Sequence, residues 1–211
     1  KAYEIVGRPR DVAIALWGLG DSCRALGDHE SQLAAAQDCR SIAESEAALT
    51  LAGDACLLEA RALYMLDRDE EAVASCTAGR NHFRAAGLPE RVIEADDFAV
   101  TVHLYLGNLD EALELARGCL VLARTASSGQ GEPQARLRLA EVLWRRGDSE
   151  QALEHAELAM AVCRERNDLT RAAACERLRA EAWVDKDELE KALDAFSSAR
   201  VLYDATGQYY D

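Results

Sequence analysis

The chain has 211 residues, of which 24 are basic and 38 are acidic, so its formal net charge is −14. Residues 1–105 contain 10 basic and 18 acidic side chains and the remainder 14 and 20, so neither half offers the clustered Lys and Arg that phosphate groups require. We therefore expect no nucleic acid and no membrane as a partner. Ala, Leu, Glu and Arg dominate and only three prolines occur, which predicts an all-helical chain.

The seven cysteines are not spaced as metal ligands or redox pairs are. None lies in a Cys-x-x-Cys pair or near a His at metal-ligand spacing. We expect them to be buried thiols that serve as small hydrophobic side chains in a reducing cytoplasm, with no metal or cofactor implied. The longest uncharged apolar stretches, such as Val12–Gly20, are too short to span a membrane.

A constant period runs through the whole sequence without insertion or deletion, and it defines columns of equivalent positions. The apolar column consists of Leu33, Val73, Leu113, Leu153 and Leu193. An alanine column precedes it, at Ala72, Ala112, Ala152 and Ala192, with Gln32 as the exception. A column of mostly small residues follows it, at Ala36, Cys76, Ala116 and Ala156, with Phe196 as the exception. The period equals the difference in residue number between Leu33 and Val73. A constant period of that length predicts stacked helical repeats.

Two turn signals in each period predict a pair of helices. A tight turn that can end one helix and cap the next recurs at Gly27-Asp28, Asp67-Arg68, Gly107-Asn108, Gly147-Asp148 and Asp187-Glu188. A looser loop follows each pair, at Gly7-Arg8-Pro9, Gly87-Leu88-Pro89, 127–133, Asn167-Asp168 and Gly207. We thus predict one array over 1–211 with units at about 10–47, 50–87, 90–127, 132–167 and 169–207.

The phase of the period also makes predictions about the first residues and the helix caps. Ala2 and Tyr3 fall in columns of a second helix, so residues 1–7 are expected to end a preceding helix and the chain to be a segment of a longer protein. Asn108 with Glu111, and Asp148 with Gln151, have capping-box spacing. A further small-residue column, where helices must cross closely, consists of Gly20, Ala60, Ala140 and Ala180, with Val100 as the exception.

These motifs resemble the tetratricopeptide repeat. The best stretches run from Leu16 to the Gly27-Asp28 turn and from Leu106 to Leu113, and in the second the Gly-Asn turn is followed by Ala-Leu in the second helix. The units are longer than the family's commonest repeat, and they resemble the extended repeats of the Pins and kinesin light chain groups and of sensor arrays in bacterial multidomain regulators. The resemblance implies a right-handed α-solenoid of antiparallel helix pairs.

The resemblance also implies where a partner binds, because first-helix residues of that family face a concave groove. The corresponding positions here are Trp17, Asp21, Arg24, Arg61, Tyr64, Met65, Asp97, Thr101, Tyr105, Glu141, Trp144, Arg145, Arg177 and Glu181. Aromatic side chains and arginines of this kind dominate binding hot spots. Leu57, Leu104, Leu137 and Trp144 have an alternative role, which is packing between helix pairs.

The Lys and Asn pairs of the family's carboxylate-clamp members are absent, because the matching places hold Trp17 and Asp21, Leu57 and Arg61, and Asp97 and Thr101. We therefore expect no clamp for a peptide C-terminus.

The function expected from sequence is a non-catalytic scaffold that binds a protein or peptide, including another domain of its own polypeptide, in the concave groove. The alternative is a ligand- or peptide-sensing regulatory domain of a bacterial transcriptional regulator or signalling ATPase. The four histidines are dispersed, no Ser-His-Asp or Cys-His arrangement emerges, and the glycines form no phosphate loop, so no catalytic residue is assigned. The oligomeric state is left open.

Overall fold

The computed structural model describes residues 8–126 and 131–207. The expectations for Ala2, Tyr3 and Gly7, and for part of the 127–133 loop, lie outside these residues. Contacts divide the chain into two compact units, Lys1–Leu106 (unit 1) and Gly107–Asp211 (unit 2). The described residues form helices and no strands, which confirms the all-α fold. The single array over 1–211 stays a prediction.

The described residues of unit 1 form five helices, and each packs against the next. They are α1 (Pro9–Leu26), α2 (His29–Ser45), α3 (Leu49–Met65), α4 (Asp69–Ala85) and α5 (Pro89–Leu106). Unit 2 repeats the arrangement. Its helices are α6 (Leu109–Thr125), α7 (Glu132–Arg145), α8 (Ser149–Glu165), α9 (Leu169–Asp185) and α10 (Leu189–Thr206). Helix α6 follows the same kind of turn as α2 and α4, so α1, α3, α5, α7 and α9 are the first helices of their periods.

Left-handed residues end the helices where the sequence places its turn signals. The tight turns are confirmed by positive φ at Gly27, Asp67, Gly107, Gly147 and Asp187. Ala47, which no turn signal marks, also has a positive φ of 51°. It lies one period before Gly87, and the Ala48 N–H donates to the Ala43 carbonyl at 2.8 Å, which closes the turn despite the unfavourable residue.

The two predicted capping boxes have different outcomes. The Asp148 carboxylate accepts a hydrogen bond from the Gln151 backbone N–H at 3.2 Å, so this N-cap is confirmed. The Gln151 side chain does not reach back to the Asp148 N–H, which instead donates to the Leu143 carbonyl. The prediction for Asn108 and Glu111 is wrong, because the Asn108 side chain makes no capping hydrogen bond.

The small-residue columns form the helix crossings. Every member of the columns containing Gly20 and Ala72 is buried. A β-carbon on residue 20 would lie 2.7 Å from Leu58 Cδ2, which shows how closely α1 approaches α3. Gln32, the polar member of its column, is fully buried and donates to the Leu58 carbonyl at 2.8 Å, so its amide is satisfied where an alanine stands in other repeats. The seven cysteines are all buried free thiols, as expected.

The apolar column departs from its pattern in the last helix. Leu33, Leu113 and Leu153 are buried, whereas Leu193 is 68% exposed and Phe196, in the column of three buried alanines, is 41% exposed. The reason is that no other helix among the described residues covers this face of α10. Within the described ranges, no helix is long and apolar enough to cross a membrane.

Candidate functional site

The first helices lie beside one another within each unit. Helix α1 contacts α3, and α7 contacts α9. We call the exposed side of α1, α3 and α5 the first-helix surface of unit 1, and that of α7 and α9 the first-helix surface of unit 2. All fourteen residues assigned by the resemblance retain some exposure, and they fall on these two surfaces.

An aromatic cluster occupies the first-helix surface of unit 1. The Tyr64 ring packs edge to face against Phe98 and Tyr105, with centroid separations of 5.8 and 5.7 Å. Tyr105 is 64% exposed, and Met65, beside Tyr64 in α3, is 56% exposed. The three rings hold one another in place, and Tyr105 still presents apolar area to solvent, which is the property expected of a binding hot spot.

Charged groups join α3 to α5 beside this cluster. The Arg61 guanidinium lies 5.9 Å from the Phe98 centroid and donates to Glu94 at 3.1 Å. Arg91 contacts both Glu94 and Asp54, so each carboxylate of the network has a cationic partner. Burial raises the pKa of Asp54, and the attraction of Arg91 opposes that shift. The network fixes the position of Arg61 relative to the aromatic rings.

The remaining residues assigned to unit 1 are less organised. Asp21 and Arg24 form an ion pair of 2.9 Å one turn apart on α1, where their side chains are 44% and 45% exposed. Such a pair contributes little to stability. Trp17 is 38% exposed on the same helix. The Thr101 hydroxyl donates to the Asp97 carbonyl at 3.2 Å within α5, so its donor is already used.

A cleft of about 500 Å³ and a smaller one of about 280 Å³ lie in unit 2. The smaller separates α7 from α9 on the first-helix surface, and Glu141 and Arg177 line it together with Arg138 and Arg171. Arg138 donates to Glu141 at 2.7 Å, and Arg177 pairs with Glu181. The structure thus brings Glu141, Arg177 and Glu181 into one charged site.

Trp144 and Arg145 are the last two residues of α7 on the first-helix surface of unit 2. Trp144 packs against the buried Ala140, Ala156 and Leu178, so its indole is both a core and a surface group. The Arg145 guanidinium lies 5.2 Å from its ring centroid and makes no ion pair with the described residues. Packing between helix pairs, the alternative role expected for Trp144 and Leu57, also applies to Leu57, which is buried inside unit 1.

Sequence reasoning missed several residues of these surfaces. Phe98 shares a column with Leu58, Arg138 and Leu178, and such a mixed column gave no indication of a surface position. Arg138 and Arg171 lie outside the positions carried over from the resemblance. The larger cleft was also missed, and it lies between α8, α9 and α10, with Cys163, Glu176 and Val201 in its lining.

Residues 94–165 match the family model of the tetratricopeptide repeat. That part of the chain consists of tetratricopeptide repeats. No curated protein matches its sequence, so the other evidence comes from solved structures. A kinesin light chain type protein of Podosopora anserina with nearly identical TPR-like repeats is 15% identical, with a TM-score of 0.75 over 95% of this chain and 98% of that one.

Two further solved structures share the fold of this chain. The signal transduction ATPase with numerous domains and a tetratricopeptide repeat sensor from Pyrococcus horikoshii is 14% identical, with a TM-score of 0.79. The match covers 97% of this chain and 35% of that one. The Rap conjugation gene regulator of plasmid pLS20, solved with the Phr* peptide, is 15% identical, with a TM-score of 0.70 over 90% and 52%. At these identities the likeness concerns the fold alone.

Proposed function

We propose that this tetratricopeptide-repeat chain is a non-catalytic scaffold that binds a peptide or helix of another protein, or of its own polypeptide, on its first-helix surfaces. The observation that carries the proposal is the packing of Tyr64 against the exposed Tyr105, with Arg61 close to the same aromatic cluster. The rings offer apolar area at a low entropic cost, and Arg61 supplies a directed charge.

The expected ligand has apolar anchors and charges of both signs. The cluster of unit 1 suits aliphatic or aromatic anchors, and the carboxylates Glu94, Glu141 and Glu181 can receive basic side chains. Arg145, which has no carboxylate partner among the described residues, suits an acidic one. A single groove formed by both surfaces stays a prediction.

Charge reversal tests the proposal. Pull-down with the wild-type chain, read by mass spectrometry, identifies partners, and their affinities are then measured for Arg61→Glu and Arg145→Glu. Arg117→Glu is the matched control, because Arg117 is 56% exposed on the second helix α6 and has only a 3.8 Å contact with Glu114.

We expect Arg61→Glu and Arg145→Glu to abolish capture while circular dichroism stays unchanged, and Arg117→Glu to bind normally. If both first-helix variants still bind the partner, the first-helix surfaces are not its binding site.

The second candidate is a sensor domain of a larger regulator, and the similarity to the repeat sensor of the Pyrococcus horikoshii ATPase favours it. In that case a small molecule or peptide shifts an equilibrium between two shapes of the repeats. Small-angle scattering with and without the captured ligand distinguishes the two. In a scaffold, the radius of gyration changes only by the contribution of the bound ligand. In a sensor, it also changes because the repeats change shape.

A further inference from the structure

Three metal-binding side chains from three different helices meet in unit 1, away from the aromatic cluster. They are Glu44 near the end of α2, Cys56 in the middle of α3 and His82 in α4. One donor atom of each lies within 4.8 Å of the other two, and His82 Nε2 is 3.0 Å from Glu44 Oε1. The wide separation of the three residues along the sequence hid this grouping from the spacing rules.

The burial of the three side chains gives the cluster an inner and an outer side. Cys56 is fully buried, so its thiol forms the inner side. The Glu44 and His82 side chains are 40% and 22% exposed, so an ion can approach from solvent between them. Rotation about their side-chain bonds can bring Glu44 and His82 toward a common centre, whereas the thiol is fixed by the packing of α3.

The donor set is that of zinc. Thiolate sulfur, imidazole nitrogen and carboxylate oxygen are its usual protein ligands, at about 2.0 to 2.3 Å in tetrahedral geometry. Ca²⁺ and Mg²⁺ take oxygen ligands, so Cys56 and His82 select against them. We propose that Glu44, Cys56 and His82 bind Zn²⁺, with water in the fourth position.

Arg40 determines how Glu44 takes part. Arg40 Nε donates to Glu44 Oε1 at 2.9 Å, and its Nη1 donates to Glu59 Oε2 at 3.1 Å. Arg40 holds Glu44 Oε1, which leaves Oε2 available to the ion, and His82 Nε2 exchanges its contact with Glu44 for the metal. Arg40 then remains a hydrogen-bonding partner of the coordinating carboxylate, as outer partners of metal ligands commonly are.

The site would act as a clip between repeats. Helix α2 belongs to one period and α3 and α4 to the next, so a bound ion links two adjacent helix pairs. Zn²⁺ binding releases the Cys56 thiol proton to solvent and stabilises the folded chain by mass action. The proposal is independent of ligand binding on the first-helix surfaces.

Cobalt provides the direct test. We expect the metal-free chain to bind one equivalent of Co²⁺ with visible d–d bands of tetrahedral intensity and a sulfur-to-cobalt charge-transfer band in the near ultraviolet. Zn²⁺ should displace the Co²⁺ and raise the thermal midpoint, whereas Mg²⁺ should do neither.

Variants then assign the ligands. Cys56→Ser should remove the charge-transfer band, and His82→Gln and Glu44→Gln should each weaken Co²⁺ binding by at least about tenfold. The matched control is Cys39→Ser, because Cys39 is an equally buried thiol in α2 outside the ligand set. It should keep the band and the affinity.

Several results would overturn the site. They are no charge-transfer band with Co²⁺ in the wild-type chain, a band that persists in Cys56→Ser, or one that disappears in Cys39→Ser instead. The His82 and Glu44 variants alter partly exposed side chains, so they decide the matter even where Cys56→Ser does not fold. Unchanged affinity in both of them would refute the proposal.

Discussion

The ring of Phe83 fills the space in which a β-carbon on residue 53 would lie. Three ring carbons are 2.5, 2.7 and 2.8 Å from that position, so α4 can cross α3 at this distance only over a glycine. Phe83 is completely buried, and the Arg91 guanidinium covers its ring at 4.8 Å from the centroid. The crossing therefore has no flexible neighbour that could move aside.

Gly53→Ala should destabilise unit 1 by about 1 to 3 kcal/mol, because overpacking outweighs the better helix propensity of alanine. Gly18→Ala is the control, since a β-carbon there meets nothing within 4 Å. It should stabilise the chain by about 0.5 to 1 kcal/mol. Urea denaturation followed by circular dichroism measures both, and equal stabilities would contradict the close crossing.

Two leucines of the same column should respond differently to truncation. Leu113→Ala removes a side chain that is 8% exposed and should cost about 2 to 5 kcal/mol. Leu193→Ala removes one that is 68% exposed and should change the free energy of unfolding by less than about 0.5 kcal/mol. Chemical denaturation of both variants is the measurement. A comparable loss in Leu193→Ala would show that the face of α10 is covered in solution.

The N-caps of α8 and α6 provide a third matched pair. Asp148→Ala removes a carboxylate that accepts from the Gln151 N–H, and it should cost about 1 kcal/mol. Asn108→Ala removes a side chain that makes no capping hydrogen bond, so its cost should stay below about 0.5 kcal/mol. Thermal unfolding of the two variants under identical conditions compares them. A larger loss for Asn108→Ala would reverse the assignment of the caps.

The buried thiol of Cys76 should make stability depend on alkaline pH. Burial raises its pKa from 9.0 to about 12, so in this range the unfolded chain binds fewer protons than the folded one. The contribution of Cys76 to stability is therefore complete below pH 9 and falls as the pH rises, by about 1 kcal/mol per pH unit.

Cys76→Ala isolates this effect, because alanine occupies the same column at Ala36, Ala116 and Ala156. The difference in unfolding free energy between wild type and variant should shrink or reverse between about pH 9 and 10.5. Urea titrations at a series of pH values measure it. A constant difference across that range would mean that the thiol ionises freely in the folded chain.

Much of the candidate site was predictable, for a physical reason. The period assigns each residue to a first or second helix, and the exposed side of a first helix follows from helical geometry. Tyr64, Tyr105 and Arg61 were assigned by combining the period with the family resemblance, which implies that first helices face the partner. Phe98 was not, because its partial exposure depends on how α3 and α5 pack, and its column mixes leucines with Arg138.

The sequence by itself determined the helices, their turns and the small residues at their crossings, because propensity, capping and close packing act within one period and recur in every period. The tertiary structure alone decided which equivalent positions differ. It exposes Leu193 while burying Leu113, supports Ala47 in a conformation that favours glycine, and brings Glu44, Cys56 and His82 together. Each of these depends on which helix lies opposite, and a side chain's own sequence neighbours do not contain that information.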